Sequence, residues 1–250
     1  MKDFAGKTAV VTGGTRGIGR AISLHLARRG ARVFSLYARD RKQAEALEEI
    51  ARLEDLSVTC LRGDLTDEEK FQGVVTALGE ATDTVDFLVH SAASGVHRNA
   101  MELTPKHLAW TFNVNVFAAH NLIRTLSPKL APGGRIVGVT SSGGTRVIPY
   151  YAAVGSSKGA LESLFRHYAV ELASKGISVN CVCPGLVVTD AVEAFPDKER
   201  RIEVATRQTP SGKLTTPEAV AELVGFLCSE PAAQIIGQTI VIDGGKTLPS

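Results

Sequence analysis

The sequence predicts a single α/β domain, a doubly wound parallel sheet of seven strands with helices on both faces, and three observations carry that expectation. Short β-branched runs alternate with longer segments of helical period along nearly the whole chain. The connections are long enough for the crossovers that parallel strands require, and such crossovers are nearly always right-handed. A glycine-rich turn joins the first β-branched run to the first helical segment, as in folds that bind ligands at the carboxyl ends of parallel strands.

The first strand is expected over Thr8 to Thr12 (TAVVT), and the helical stretch from Gly17 to Arg29 follows it with Ile18, Ala21, Ile22 and Leu26 on one face. Further strands are expected at Ala31 to Tyr37, Ser57 to Arg62, Val85 to Ala92, Arg135 to Thr140, Ile177 to Cys183 and Gln238 to Ile242. Each except the last is followed by a helical pattern, which gives about six crossover helices. Long helices are expected over roughly Pro105 to Leu126 and Tyr151 to Ala173. The stretch from Gly185 to Thr216 contains no obvious strand and carries a charged run, Asp197 to Arg201. It is longer than loops usually are in compact domains and is expected to be a lid over a binding site.

Composition narrows the function. The chain has 250 residues, and its 28 Lys and Arg against 26 Asp and Glu leave a formal charge of +2. That lacks the basic excess of a phosphate-backbone binder, so nucleic acid is not expected as a partner. No apolar h-region follows Met1 and no run of about 18 apolar residues occurs, so a soluble, cytoplasmic protein without a membrane partner is expected. Cys60, Cys181, Cys183 and Cys228 read as core thiols, with the close pair Cys181 and Cys183 expected to point apart. His90, His97, His107, His120 and His167 have no metal-ligand spacing, and no metal is expected.

The glycine-rich turn runs Thr12-Gly13-Gly14-Thr15-Arg16-Gly17-Ile18-Gly19. Glycines let the backbone approach a pyrophosphate, and the free N–H groups and dipole of the following helix supply an anion site. A strand before it and a helix after it make this the dinucleotide-binding turn of a Rossmann-type domain. Its Gly-x3-Gly-x-Gly spacing, with Thr12 before it, resembles the short-chain dehydrogenase/reductase family.

That resemblance implies that Gly13, Thr15, Arg16, Gly17, Ile18 and Gly19 lie along the cofactor, with Tyr37, Ala38 and Arg39 at the end of the second strand. NAD binders end this strand with a carboxylate for the ribose 2′-OH. Here no acid precedes Asp40, and Arg39 and Arg16 are placed to bond a 2′-phosphate, so NADPH is the expected cofactor. The resemblance further implies an adenine site at Asp64 and Leu65 and a turn at Ser91, Ala92 and Ala93, where His90-Ser91-Ala92-Ala93 stands for the family's usual Asn-Asn-Ala-Gly. At the nicotinamide end it implies Pro184, Gly185, Val187 and Thr189.

The family's chemistry uses a Tyr and, four residues later, a Lys that lowers the Tyr pKa and binds the ribose hydroxyls. Lys158 fits, but Val154 stands four residues before it. Tyr151 stands seven residues before Lys158, nearly two helical turns, so the two side chains share a face. This Tyr-x6-Lys spacing resembles that of enoyl-acyl carrier protein reductases. Ala92-Ala93-Ser94-Gly95-Val96, Asn113-Val114-Asn115, Ser141-Ser142 and the run Tyr150 to Lys158 are similar to the NADPH-dependent type III enoyl reductases. The resemblance implies that Tyr151 donates to the enolate that forms when hydride reaches C3 of an enoyl thioester, and that Lys158 holds the ribose. Asn115 would prop Lys158 through backbone and water, and Ser141 would keep an assisting position. Tyr150 is the alternative phenol.

The leading expectation is therefore reduction of an enoyl thioester, on acyl carrier protein or CoA, in fatty acid or polyketide biosynthesis, with Phe195 and Ile202 closing over the acyl chain. A carbonyl or 3-oxoacyl reductase is the alternative. A non-catalytic NADPH-binding sensor is a third reading, against which the retention of Ser141, Lys158, Asn115 and a same-face Tyr argues. Arg98, Lys106, Lys198, Arg200, Arg201 and Arg207 are positioned to steer an acidic carrier. A homotetramer or dimer is implied by resemblance, with Leu108, Trp110, Phe112, Phe117 and Leu122 and Leu161, Leu164, Phe165 and Tyr168 as apolar residues beyond one stripe.

Overall fold

Seven parallel strands hydrogen-bond in the order β3-β2-β1-β4-β5-β6-β7. A computed structural model of the chain describes residues 2–189 and 198–248. Phe195 and Asp197 lie outside the described residues, as does the side chain of Arg201. The strands are β1 (Thr8–Thr12), β2 (Arg32–Tyr37), β3 (Val58–Arg62), β4 (Val85–His90), β5 (Leu130–Val139), β6 (Ser178–Pro184) and β7 (Thr239–Ile242). Between them run α1 (Gly17–Arg28), α2 (Arg41–Leu53), α3 (Glu68–Ala81), α4 (Pro105–Phe112), α5 (Ala118–Leu126), α6 (Ala152–Ala173), α7 (Lys198–Arg207) and α8 (Pro217–Leu227). The order reverses between β1 and β4, and the crevice outside the carboxyl ends of such strands is where a doubly wound sheet binds ligands.

Central strands are buried on both faces, which is why β1 and β4 read as nearly unbroken apolar runs. One core layer packs Phe71 and Leu78 of α3, Leu122 and Leu126 of α5, and Leu161 and Phe165 of α6 against Val10, Leu88 and Ile136. The opposite layer packs Ile22 and Leu26 of α1 and Val220 and Val224 of α8 against Val11, Val89 and Val182. Successive residues of a strand face opposite layers, so Val10 and Val11 divide between the two cores.

Three expectations require correction. The helix expected over 105–126 is interrupted by a π-helical turn, Asn113–Phe117, between α4 and α5. Such wide turns concentrate at functional sites, and this one carries Asn115. Cys181 and Cys183 do not point apart: both feel the charges of Lys158 and Glu162 on α6, because residues two apart on a strand share a face. Leu122, Leu161 and Phe165 are core residues and do not form a second apolar face; the exposed large apolar side chains on these helices are Leu108, Trp110, Phe117 and Val170. In the segment after β6, Val187 pairs with Thr215 and α7 lies between them, so its described part is an organised excursion.

Candidate functional site

The dinucleotide turn is built as its composition requires. Gly13 has φ of +63°, and a Cβ there would stand 2.9 Å from the Ala92 Cα, so only glycine lets the turn after β1 meet the turn after β4. A Cβ on Gly19 would fall 2.0 Å from the Gly13 carbonyl oxygen, which locks the first turn of α1 against the loop. Arg16, the residue before α1, provides no side-chain cap, and no acid occupies the first helical turn. The leading N–H groups are left to an anion. Thr189 reaches across from the segment after β6, its Cγ2 being 3.3 Å from where a Cβ on Gly17 would be. Val187 is buried beneath it, and Gly185 donates its N–H to the Ile242 carbonyl, so Pro184, Gly185, Val187 and Thr189 form one side of the crevice.

Thr12 links the two glycine-lined turns. Its Oγ1 accepts from the Ala92 N–H at 3.1 Å and pairs with His90 Nδ1 at 3.0 Å. His90 is fully buried, and burial pushes its pKa down to about 3, with the neighbouring Lys158 ammonium acting in the same direction. A neutral imidazole thus ties the strand ends, where the family's usual residue is an asparagine. Ser91 and Ala92 are half-buried and Ala93 is exposed toward the crevice.

At the end of the crevice where the sequence places the adenosine, Arg16, Ala38 and Arg39 are exposed and Tyr37 is half-buried. Asp40 is occupied elsewhere: it caps α2, accepting from the Gln43 N–H. Asp64 accepts from both the Thr66 hydroxyl and N–H, and these bonds hold its carboxyl below the usual range, aided by the positive charge of Arg39. Leu65 stands beside it, half-buried. Arg62, which the sequence reading passed over, sits opposite Tyr37 in register and donates to the Ala38 carbonyl at 3.5 Å. Its position at the end of β3 was the signal that could have revealed it.

At the other end Tyr151 lies near Ser141, Tyr151 and Lys158 both lie near Cys183, and Asn115 bonds Ser157, the residue before Lys158. Tyr151 immediately precedes α6, with its ring packed beside Gly143 and 5.7 Å from the His97 ring. Burial pushes its phenol pKa up, and a hydrogen bond with Ser141 opposes that shift. Tyr150 has φ of +63° and a half-exposed side chain, so its backbone turns it away from this cluster. Val154 fills the position one turn before Lys158 and packs against Gly95, whose lack of a side chain makes room for it.

Lys158 is 3% exposed, and its Nζ donates to the Val139 carbonyl at 2.8 Å. Burial lowers its pKa to about 8. The Asn115 side chain does not reach toward Lys158. Its Oδ1 accepts from the Ser94 N–H at 2.9 Å and its Nδ2 donates to Ser157 Oγ at 2.8 Å, so its amide clamps the turn after β4 to α6 beside the lysine. Sequence reasoning missed Ser94, Ser157, Thr140 and Glu162, because each acts through a contact distant in sequence. Among the described residues, no group of three His, Cys, Asp or Glu stands close enough to hold a metal ion.

The crevice therefore presents a phosphate cradle at one end and a buried phenol, hydroxyl and ammonium at the other, a donor set that fits a nicotinamide dinucleotide. Residues 13–247 match a family model described as Enoyl-(Acyl carrier protein) reductase. The chain is 31% identical to 1-cyclohexenylcarbonyl-CoA reductase of Streptomyces collinus, over 97% of this chain and 87% of that one. It is also 31% identical to the 3-oxoacyl-[acyl-carrier-protein] reductase FabG of Staphylococcus aureus, over 96% and 97% of the two chains. A dehydrogenase/reductase from Sinorhizobium meliloti 1021 superposes with a TM-score of 0.92 at 32% identity, covering 98% of this chain and 97% of its own. Fold, site and relatives agree: the chain belongs to the short-chain dehydrogenase/reductase family of NAD(P)H-dependent oxidoreductases.

Proposed function

We propose that the protein reduces the C2=C3 bond of an enoyl thioester, carried on acyl carrier protein or CoA, with NADPH, in fatty acid or polyketide biosynthesis. The observation that carries this reading is the displaced phenol: Tyr151 lies beside Ser141 two helical turns before Lys158, while buried Val154 fills the position one turn before it. The family model's description and the printed name of the Streptomyces relative support it.

When bound, NADPH would supply the hydride that adds to C3, and the enolate so formed would take its proton at C2 from solvent. During the addition negative charge develops on the thioester oxygen, and a donor aimed at that oxygen lowers the barrier. Tyr151 is suited to this because burial raises its pKa and keeps its proton in place at neutral pH. Lys158 holds the ribose hydroxyls and contributes positive potential, while Asn115 fixes the turn that borders it. Arg39 and Arg16, with Arg62 nearby, bind the 2′-phosphate and favour NADPH over NADH.

Arg98 and Lys106, which follow β4, and Lys198, Arg200 and Arg207 on α7 attract an acidic carrier. The exposed Leu108, Trp110, Phe117 and Val170 meet a second copy of the chain in a homo-oligomer. A cytoplasmic location accords with four free thiols and with the absence, among the described residues, of a helix able to cross a membrane.

Ketone reduction is a second reading, favoured by the nearness of the Ser141 hydroxyl to the Tyr151 phenol, from which both could donate to one substrate oxygen. The test is NADPH oxidation with crotonyl and acetoacetyl thioesters supplied side by side to the wild-type protein and to Tyr151→Phe. Turnover of the crotonyl thioester, abolished in the variant while NADPH still binds, is expected. Turnover of the ketone alone would overturn the enoyl assignment.

A further inference from the structure

Glu162 lies on α6 one helical turn beyond Lys158 and is only 6% exposed. Its Oε1 accepts a hydrogen bond from the Thr140 hydroxyl at 2.6 Å. Among the described residues, no Lys or Arg stands within ion-pair distance of it. A buried carboxylate without an ion-pair partner is costly unless a nearby charge of opposite sign compensates it. Lys158, four residues earlier, and Arg166, four residues later, both share its face of the helix, but Arg166 is exposed to solvent, so the buried charge that faces Glu162 is the Lys158 ammonium. Consecutive residues at the end of β5 organise the two groups: the Val139 carbonyl accepts from Lys158, and the Thr140 side chain donates to Glu162.

We propose that Glu162, held by Thr140, is a positioning residue that acts through Lys158, keeping its buried ammonium protonated at the pH where the cofactor binds. The inference rests on the reading of Lys158 as the residue that holds the cofactor ribose, and it does not depend on which substrate is reduced.

Among the described residues, the thiols and the imidazole that face Lys158 from β6 and β4 are neutral, while the charged Arg166 and Asp243 act on those thiols from further out. Cys181 and Cys183 face it from β6, and burial raises both thiols to about 12. His90 faces it from β4, with its pKa pushed down to about 3. Burial alone drives Lys158 toward its neutral form, and the Glu162 charge opposes this. Without that charge the ammonium would lose its proton nearer to neutral pH, and the site would lose its positive potential.

The experiment is titration of the Lys158 ammonium by nitrogen NMR of selectively labelled lysine, assigned with Lys158→Met, together with the pH dependence of NADPH affinity by fluorescence. The wild-type midpoint is expected near 8. Glu162→Gln is expected to lower it by about one pH unit, and the alkaline loss of NADPH affinity should move down with it. Glu162→Asp should restore part of the shift. Thr140→Val, which keeps the branched shape but removes the donor, should move the midpoint in the same direction by less, and it provides the test if Glu162→Gln does not fold. Unchanged midpoints in the folded variants would overturn the proposal. An NADPH affinity insensitive to Lys158→Met would instead overturn the ribose-holding role, and the NMR midpoint would still decide whether Glu162 controls the lysine.

Discussion

The Tyr151 ring occupies the space beside Gly143, where a Cβ would lie 2.6 Å from ring carbon Cδ1 and 2.7 Å from Cε1. The short turn after β5 therefore packs the phenol against its own backbone, and the Ser141 side chain at the start of that turn lies near enough to lower the phenol pKa. Gly143→Ala must displace the ring or the turn. Because a misplacement of about 1 Å costs on the order of a hundredfold in rate, kcat is expected to fall by at least about tenfold. NADPH affinity should stay within about twofold, since Gly143 lies apart from the dinucleotide turn. Steady-state kinetics combined with a fluorescence titration measure both.

Coenzyme choice should reside in the exposed arginines at the end of β2. Arg39 lies close enough to Asp64 to influence its carboxyl, so its guanidinium borders the adenosine end of the crevice. Charge-assisted bonds contribute about 1.5–3 kcal/mol, so Arg39→Ala is expected to weaken NADPH binding by at least about tenfold and leave NADH binding nearly unchanged. Equal losses for both cofactors would show that the arginine does not meet the 2′-phosphate.

Buried His90 makes the fold sensitive to acid. Its folded pKa of about 3 lies below the ordinary 6.5, so an unfolded chain binds a proton that the native one refuses. The stability gained by keeping the ring neutral is fully present above about pH 6.5 and is lost as the pH falls toward 3. Relative to His90→Asn, the wild type should lose roughly 3 kcal/mol between about pH 7 and about pH 4. Urea unfolding at several pH values gives the difference directly, and parallel curves would show that the imidazole is protonated in the native state.

If an acidic carrier docks on the basic rim, Arg98→Glu combined with Arg200→Glu should raise KM for carrier-bound substrate by about tenfold at low salt and flatten its salt dependence. KM for a small free thioester should not change. A salt dependence identical to that of the wild type would remove the rim from carrier recognition.

Local patterns carried much of the molecule. The β-branched runs gave all seven strands to within a few residues at most of their ends, because central parallel strands must be apolar on both faces. The strand expected from Arg135 begins earlier, at Leu130, since the turn before it extends the pairing with β4. The spacing of Gly13, Gly17 and Gly19 marked a turn after β1 that the structure packs closely against the turn after β4 and the first turn of α1. The π-helical turn left no such signal, because its wider winding is imposed by packing that its own five residues do not encode.

By itself, then, the sequence determined the order of strands and helices and the glycine-rich turn between β1 and α1, both of which depend on residues close together in the chain. Only the tertiary structure decided which of two adjacent tyrosines packs beside Gly143 and Ser141, because that depends on the left-handed backbone at Tyr150 and the space left beside Gly143. It also decided that Asn115 clamps Ser94 to Ser157 and that Thr140 presents Glu162 to the lysine helix. These bonds join residues 21 to 42 positions apart, and such contacts form only once the sheet has brought its strand ends together.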